Sequence, residues 1–174
     1  MAQLKLALIG DSATGKTQLL ASFSGSDGNW QESEFGHNIL SKDIKINDTR
    51  ITLVIWDLPG QNRFKTLRST FYKGSDIIGI VFDLTRRSTF TTIHKWVREV
   101  AESLKFIPPI VLIGTKKDLT EYHEVHEDEI NQISKRFQLT YYLVDATKPK
   151  EVEHLLLNVI SNLINVEAEK KGKE

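Results

Sequence analysis

Leu4-Lys5-Leu6-Ala7-Leu8-Ile9-Gly10-Asp11-Ser12-Ala13-Thr14-Gly15-Lys16-Thr17 is the stretch whose reading decides the fold. An apolar run, Leu4 to Ile9, ends in a loop bounded by Gly10 and Gly15, and Leu19, Leu20 and Phe23 continue at helical spacing. The loop satisfies G-x-x-x-x-G-K-[ST] at every fixed position. Gly10 and Gly15 let the backbone approach an anion closely. The amides of Asp11, Ser12, Ala13 and Thr14 then point at phosphate oxygens, helped by the positive end of the helix that follows. Lys16 supplies a cation for the β- and γ-phosphates, and Thr17 a hydroxyl for Mg²⁺, a hard cation that takes few protein ligands.

Outward from that stretch the chain alternates strand and helix signals. Residues 24–37 are polar and Gly/Ser-rich, which predicts a long loop. Leu40, Ile44 and Ile46 alternate before Asn47-Asp48, and Ile51, Leu53 and Ile55 after it, a hairpin pattern. Phe64, Leu67 and Phe71 predict a short amphipathic helix, and Ile77 to Leu84 a strand covered on both faces. One longer helix is expected to start near a Ser88 cap and to carry Phe90, Ile93, Val97, Val100 and Leu104 on one face. Ile110 to Ile113 and Tyr141 to Val144 are the last strands, with helices around Ile130 to Phe137 and from Pro149 to Leu163. The expected fold is α/β, a six-stranded, mostly parallel sheet with one antiparallel strand and helices on both faces. Ligands bind such sheets at the C-terminal strand ends. One domain is expected over residues 1–165, followed by a charged, disordered tail over 166–174.

Composition narrows the class. The 174 residues suffice for one core, and 23 Lys plus Arg balance 23 Asp plus Glu. No global basic field exists to recruit nucleic acid or an anionic membrane. The absence of cysteine removes disulfides, thiol catalysis and prenylation, and Met1-Ala2 is not the Met-Gly of myristoylation. With no apolar run of bilayer length and no lipidation motif, a cytoplasmic protein is expected. His123 and His126 stand three apart, a spacing read here as a solvated surface, and Glu124 to Glu129 as a helix N-terminus.

Three further signals fall at strand ends. Asp57 stands three before Gly60, so its carboxylate can hold a Mg²⁺-bound water while the Gly60 amide senses a γ-phosphate. Taken alone, it is also an Asp before a Pro-Gly turn. Thr115-Lys116-Lys117-Asp118 places a carboxylate that can accept from the N1 and N2 groups of guanine, which adenine cannot supply, and a lysine stem that can cover the purine. Asp145-Ala146-Thr147 places a small residue whose amide can reach guanine O6.

With these residues on the page, Leu4 to Leu163 resembles the Ras-superfamily small GTPases, nearest the Rab-like branch. GDSxxGKT, Trp56-Asp57, Gly60-Gln61, Arg63-Phe64, Phe82-Asp83-Leu84-Thr85 and GTKKDL stand in that family's order. The resemblance implies a P-loop NTPase G domain that binds GTP and GDP with Mg²⁺ and works as a monomer in trafficking or signalling. It implies that Lys16 and Gln61 are catalytic, Gln61 orienting the attacking water, with Thr17 and Asp57 serving the metal. It implies that Lys16, Thr17 and Gly60 serve phosphate and that Lys116, Asp118 and Ala146 hold guanine, with Thr115, Asp145 and Thr147 also among the nucleotide-binding residues. An exchange factor, a GTPase-activating protein and effectors are the implied partners. Ile39, Trp56 and Phe71 fall where Rab-like proteins offer effectors an apolar patch; core packing is the other reading of that trio.

The departures bear on switching. The family's Mg²⁺-binding switch threonine falls on Glu34, where no hydroxyl stands. A carboxylate there could bind Mg²⁺, but it adds charge beside the γ-phosphate, about 4 kcal/mol for unit charges about 4 Å apart at an effective dielectric of about 20. Ser33 substitutes if the loop shifts by one residue. The expectation is a first switch that closes weakly on GTP. Pro59 stiffens the second switch; Trp30 and Phe35 are the two candidates for an aromatic on the guanine edge, a loop anchor being the other reading of each. No arginine lies between Gln18 and Thr49, so intrinsic hydrolysis should be slow. The rival reading is a module that holds guanine nucleotide without productive switching; an ATP-using phosphotransferase would leave Asp118 unexplained.

Overall fold

The computed structural model describes residues 2–32, 37–46 and 48–171. Ser33, Glu34, Phe35 and Asn47 therefore lie outside the described residues. The order is β1 Ala2–Ile9, α1 Lys16–Ser24, β2 Asn29–Glu32, β3 Asn38–Ile46, β4 Thr49–Asp57, α2 Lys65–Tyr72 and β5 Ile77–Asp83. There follow α3 Arg87–Thr91, α4 Ile93–Ser103, β6 Ile110–Thr115, α5 Glu127–Phe137, β7 Thr140–Val144 and α6 Pro149–Lys171.

The strands form one sheet in the order β2-β3-β4-β1-β5-β6-β7. β1 is parallel to β4 and β5, and β6 to β5 and β7. β3 runs antiparallel to β4, as the hairpin pattern requires. The sheet has seven strands where the sequence predicts six. The extra one, β2, lies in the stretch read as loop and pairs antiparallel with β3, Trp30 opposite Leu40. Its four residues carry no apolar alternation because it is an edge strand held by backbone pairing.

Strand pleating splits the core in two. Leu6 and Leu8 face α1 and α6, against Leu19, Phe23, Val152, Leu156 and Ile160. Ala7 and Ile9 face the other layer, with Tyr72, Phe90, Ile93, Trp96, Val100 and Ile130. All seven residues of β5 are buried, consistent with its continuous apolar run. Among the described residues, no helix is long and apolar enough to cross a membrane.

Three helices differ from expectation. The single helix predicted from Ser88 is two, α3 and α4, with Thr92 between them and Arg86 rather than Ser88 at the first N-cap. Thr89, Thr91 and Thr92 each turn a hydroxyl onto the carbonyl three residues back, at 2.8, 2.9 and 3.0 Å, which competes with the helix ladder. In α2 the fully buried residues are Arg68 and Tyr72, while Phe64, Leu67 and Phe71 stay half-buried. The last helix continues as backbone to Lys171. The acidic run caps α5: Glu129 accepts from the His126 amide at 3.1 Å and pairs with Arg87.

Candidate nucleotide site at the strand ends

β1 delivers the chain into the loop at Gly10, where φ is 139° and a Cβ would lie 2.1 Å from the Val81 carbonyl oxygen. No other residue fits there. Ala13 takes φ 58°, which costs a non-glycine residue about 1 kcal/mol. The loop is fastened from outside. Thr115 Oγ1 donates to the Thr14 carbonyl at 2.6 Å, and Arg86 Nη2 to the Ser12 carbonyl at 2.9 Å. Asp11 turns its carboxylate away from the loop interior, accepting from Trp96 Nε1 at 3.0 Å and Thr92 Oγ1 at 2.9 Å. That leaves its backbone for the inside of the loop.

Lys16 lies under the loop, 6% exposed, and its Nζ donates to the carbonyls of Gly10 at 2.9 Å and Asp11 at 2.7 Å. Burial lowers its pKa to about 8, with Asp57 and then Asp11 pulling the other way. Thr17 Oγ1 donates to Asp57 Oδ2 at 2.5 Å, and Asn38 Nδ2 reaches the same oxygen at 3.1 Å. A hydroxyl and a carboxylate side by side are a donor set suited to a hard divalent cation that keeps most of its waters. Lys16, Thr17, Asp57, Gly60 and Gln61 all line one cleft of about 320 Å³ with Ser12 and Ala13. A Cβ on Gly60 would sit 2.5 Å from the Gly10 carbonyl oxygen and 2.8 Å from the Ser12 nitrogen, so this close approach requires glycine.

Across Gly15 lies a second cavity, about 240 Å³, lined by Gly15, Gln18, Thr115, Lys116, Asp118, Leu119, Asp145, Ala146 and Thr147. The residues read from sequence as a base site thus meet in one place. Their roles within it differ. Asp118 is exposed at the cavity. Asp145 accepts from the Thr147 amide at 2.9 Å and hydroxyl at 2.6 Å, which fixes the turn that presents Ala146. Ser22 holds the Ala146 carbonyl at 2.5 Å. Lys116, at φ 61°, reaches the fully buried Asp83 at 2.6 Å. Burial works to raise the Asp83 pKa, but Lys116 and Thr85 hold it below the usual carboxylate value. Trp30 packs against the core and is not among the residues lining this cavity, and Phe35 lies outside the described residues.

Ile39 and Trp56 stand opposite each other in the β3–β4 ladder, and the Trp56 and Phe71 rings are 4.6 Å apart. All three are half-buried, and Trp56 and Phe71 pack against the core layer that holds Tyr72 and Trp96. His37, which the sequence reading did not select, joins the trio with ring centroids 5.7 Å from Trp56 and 4.6 Å from Phe71. Arg68 was also missed. It is fully buried between α2 and α4, paired with Glu99. The available signal was a charged residue on the inward face of each of two neighbouring helices.

A family model for the Ras family matches residues 5–165. The chain belongs to the Ras family. Within it the protein is a Rab-like small GTPase by relationship. It is 32% identical over 171 residues to the Ras-related protein RABA6a of Arabidopsis thaliana, spanning 98% of this chain and 73% of that one. It is 30% identical over 162 residues to Ras-related protein Rab-30 of Homo sapiens, spanning 92% and 80% of the two. Ras-related protein Rab-11A of Dictyostelium discoideum is 28% identical over 163 residues, spanning 93% and 76%. Membership accounts for the architecture of this Ras-family chain, and the loop, the Asp57 turn and the Asp118 loop follow the C-terminal ends of β1, β4 and β6 of its sheet.

Proposed function

We propose that this chain is a GTP-binding switch that hydrolyses GTP to GDP with Mg²⁺. The observation that carries the reading is the single cleft joining Lys16, Thr17, Asp57, Gly60 and Gln61, continued past Gly15 by the cavity of Asp118 and Ala146. Lys16 holds β- and γ-phosphate oxygens, and the Gly60 amide donates to the γ-phosphate. Gln61 orients a water for in-line attack on the γ-phosphorus as the bond to the β-phosphate oxygen breaks. Thr17 and Asp57 would hold Mg²⁺, which supplies charge neutralisation on the phosphate oxygens. Asp118 accepts from guanine N1 and N2, and the Ala146 amide donates to O6.

Turnover without an activator is slow. Arg86 is engaged with the Ser12 carbonyl, and an arginine supplied by a partner is worth roughly 10³–10⁵ in rate. An exchange factor, an activating protein and effectors are the partner classes, with Ile39, Trp56 and Phe71 as the effector patch. A regulatory role in trafficking fits the Rab-related names of its relatives. A second reading, a guanine-nucleotide module that does not switch, draws on Glu34 in the switch position and on the tethering of the Pro59 carbonyl.

The test is a chromatographic time course of nucleotide retained after chelator stripping and reloading with GTP and Mg²⁺. Slow conversion of retained GTP to GDP is the expected result. Retained, unconverted GTP would favour the second reading, and no retained nucleotide would overturn both.

A further inference from the structure

The turn between Asp57 and α2 is anchored from two sides. On one, Leu58 is fully buried and its amide donates to the Leu8 carbonyl at 3.1 Å. On the other stands Arg68, also fully buried. Its Nη1 donates to the carbonyls of Pro59 at 2.8 Å and Gln61 at 2.7 Å, the two peptide oxygens that flank Gly60. Its Nε and Nη2 fork onto Glu99 of α4, both at 2.8 Å. Glu99 also accepts from the Tyr72 hydroxyl at 2.6 Å, and the guanidinium lies 4.8 Å from the Trp96 ring centre. Arginine alone offers a planar fork with donors left over for the two carbonyls.

Switch loops that depend on a γ-phosphate for order are released when it leaves. The contacts that order this turn are instead made by α2, α4 and β1. We propose that Arg68 is the positioning residue of the second switch, holding the 59–61 turn against the phosphate loop in every nucleotide state. The Gly60 amide and Gln61 are then presented ready-made. The claim about nucleotide states rests on the function proposed above; the clamp itself does not.

The experiment is amide hydrogen exchange on the full chain, nucleotide-free, with GDP and Mg²⁺, and with a non-hydrolysable GTP analogue and Mg²⁺. In the unmodified protein each amide of residues 61–64, a span that leaves out the Gly60 amide the γ-phosphate itself would protect, should exchange at rates within about threefold across the three states. Arg68→Lys keeps the charge but cannot make the fork and reach both carbonyls. It should speed exchange of those amides at least about tenfold without nucleotide, while β5 and α6 keep their rates. Glu99→Gln, which weakens the fork and keeps its shape, should move the same amides in the same direction, and it decides the case if Arg68→Lys does not fold.

Exchange of residues 61–64 about tenfold faster with GDP than with the analogue would overturn the proposal. So would unchanged rates in the variants, or an acceleration spread evenly over the molecule. A chain that retains no guanine nucleotide would sink the proposed function alone, because the nucleotide-free comparison still decides the clamp.

Discussion

The hydroxyl of Thr17 and the carboxylate of Asp57 are hydrogen-bonded directly to each other at 2.5 Å, across forty residues of chain. The hydroxyl can keep that bond while a lone pair of its oxygen faces a cation, and Asn38 helps to orient the carboxylate. Thr17→Ala removes one ligand and should raise the Mg²⁺ concentration needed for half-maximal GDP retention by about 10- to 100-fold. Titrating Mg²⁺ against GDP release measures it. An unchanged midpoint would remove Thr17 from the metal site.

Lys16 sets a pH dependence. Its pKa in the protein without nucleotide lies near 8, lowered by burial, and phosphate binding requires the ammonium form. Binding therefore takes up a proton above that value, so GDP affinity should fall as pH rises through about 8, by at most about tenfold per unit. Calorimetry in buffers of different ionisation enthalpy reads the proton directly. The stability sign is opposite. Between about 8 and the ordinary lysine value the unfolded chain binds more protons, so the nucleotide-free fold gains stability as pH rises through that window.

Asp118 should decide the base. Asp118→Asn replaces an acceptor of two hydrogen bonds by a group with one acceptor and a mismatched donor. A charged hydrogen bond is worth about 1.5–3 kcal/mol, so GDP affinity should fall by about 10- to 100-fold while ADP affinity stays where it was. Competition between the two nucleotides checks this.

Gln61 lines the cleft while Arg68 holds its carbonyl. Gln61→Leu should leave GTP affinity intact and slow activator-stimulated hydrolysis by roughly a hundredfold, the cost of losing orientation of the attacking water. Single-turnover hydrolysis separates the two effects. An unchanged stimulated rate would take Gln61 out of the mechanism.

Arg68→Met strands Glu99 and should destabilise the fold by about 3–5 kcal/mol. At about 2–4 °C per kcal/mol for a domain of this size, the melting temperature drops by about 6–20 °C. Arg68→Met combined with Glu99→Leu should recover part of that loss, because no buried charge is then left alone. Thermal denaturation of the two variants gives the comparison.

The parts of this protein that its sequence discloses are those written over short spans. Gly10 to Thr17, Asp57 to Gly60 and Thr115 to Asp118 each carry their chemistry within a few residues, and strand order then brings them together. The Arg68–Glu99 pair joins positions 31 apart, and each residue read singly is an ordinary surface charge. β2 escapes because edge pairing needs no apolar alternation, and the break at Thr92 because its hydroxyl lies between two acceptors, the Thr89 carbonyl and the Asp11 carboxylate 81 residues away. Asp11 itself was legible as a loop residue; that its side chain serves α4 was not.

The three tryptophans are spread over three different working parts. Trp30 lies on the edge strand that leads toward the first switch, Trp56 immediately precedes Asp57, and the Trp96 indole holds the Asp11 carboxylate of the phosphate loop. Each ring is partly or wholly shielded, in surroundings of its own. The molecule thus carries a built-in optical probe on each segment. Variants retaining one tryptophan at a time can follow the edge strand, the Asp57 turn and the phosphate loop separately, by emission alone and without an attached dye.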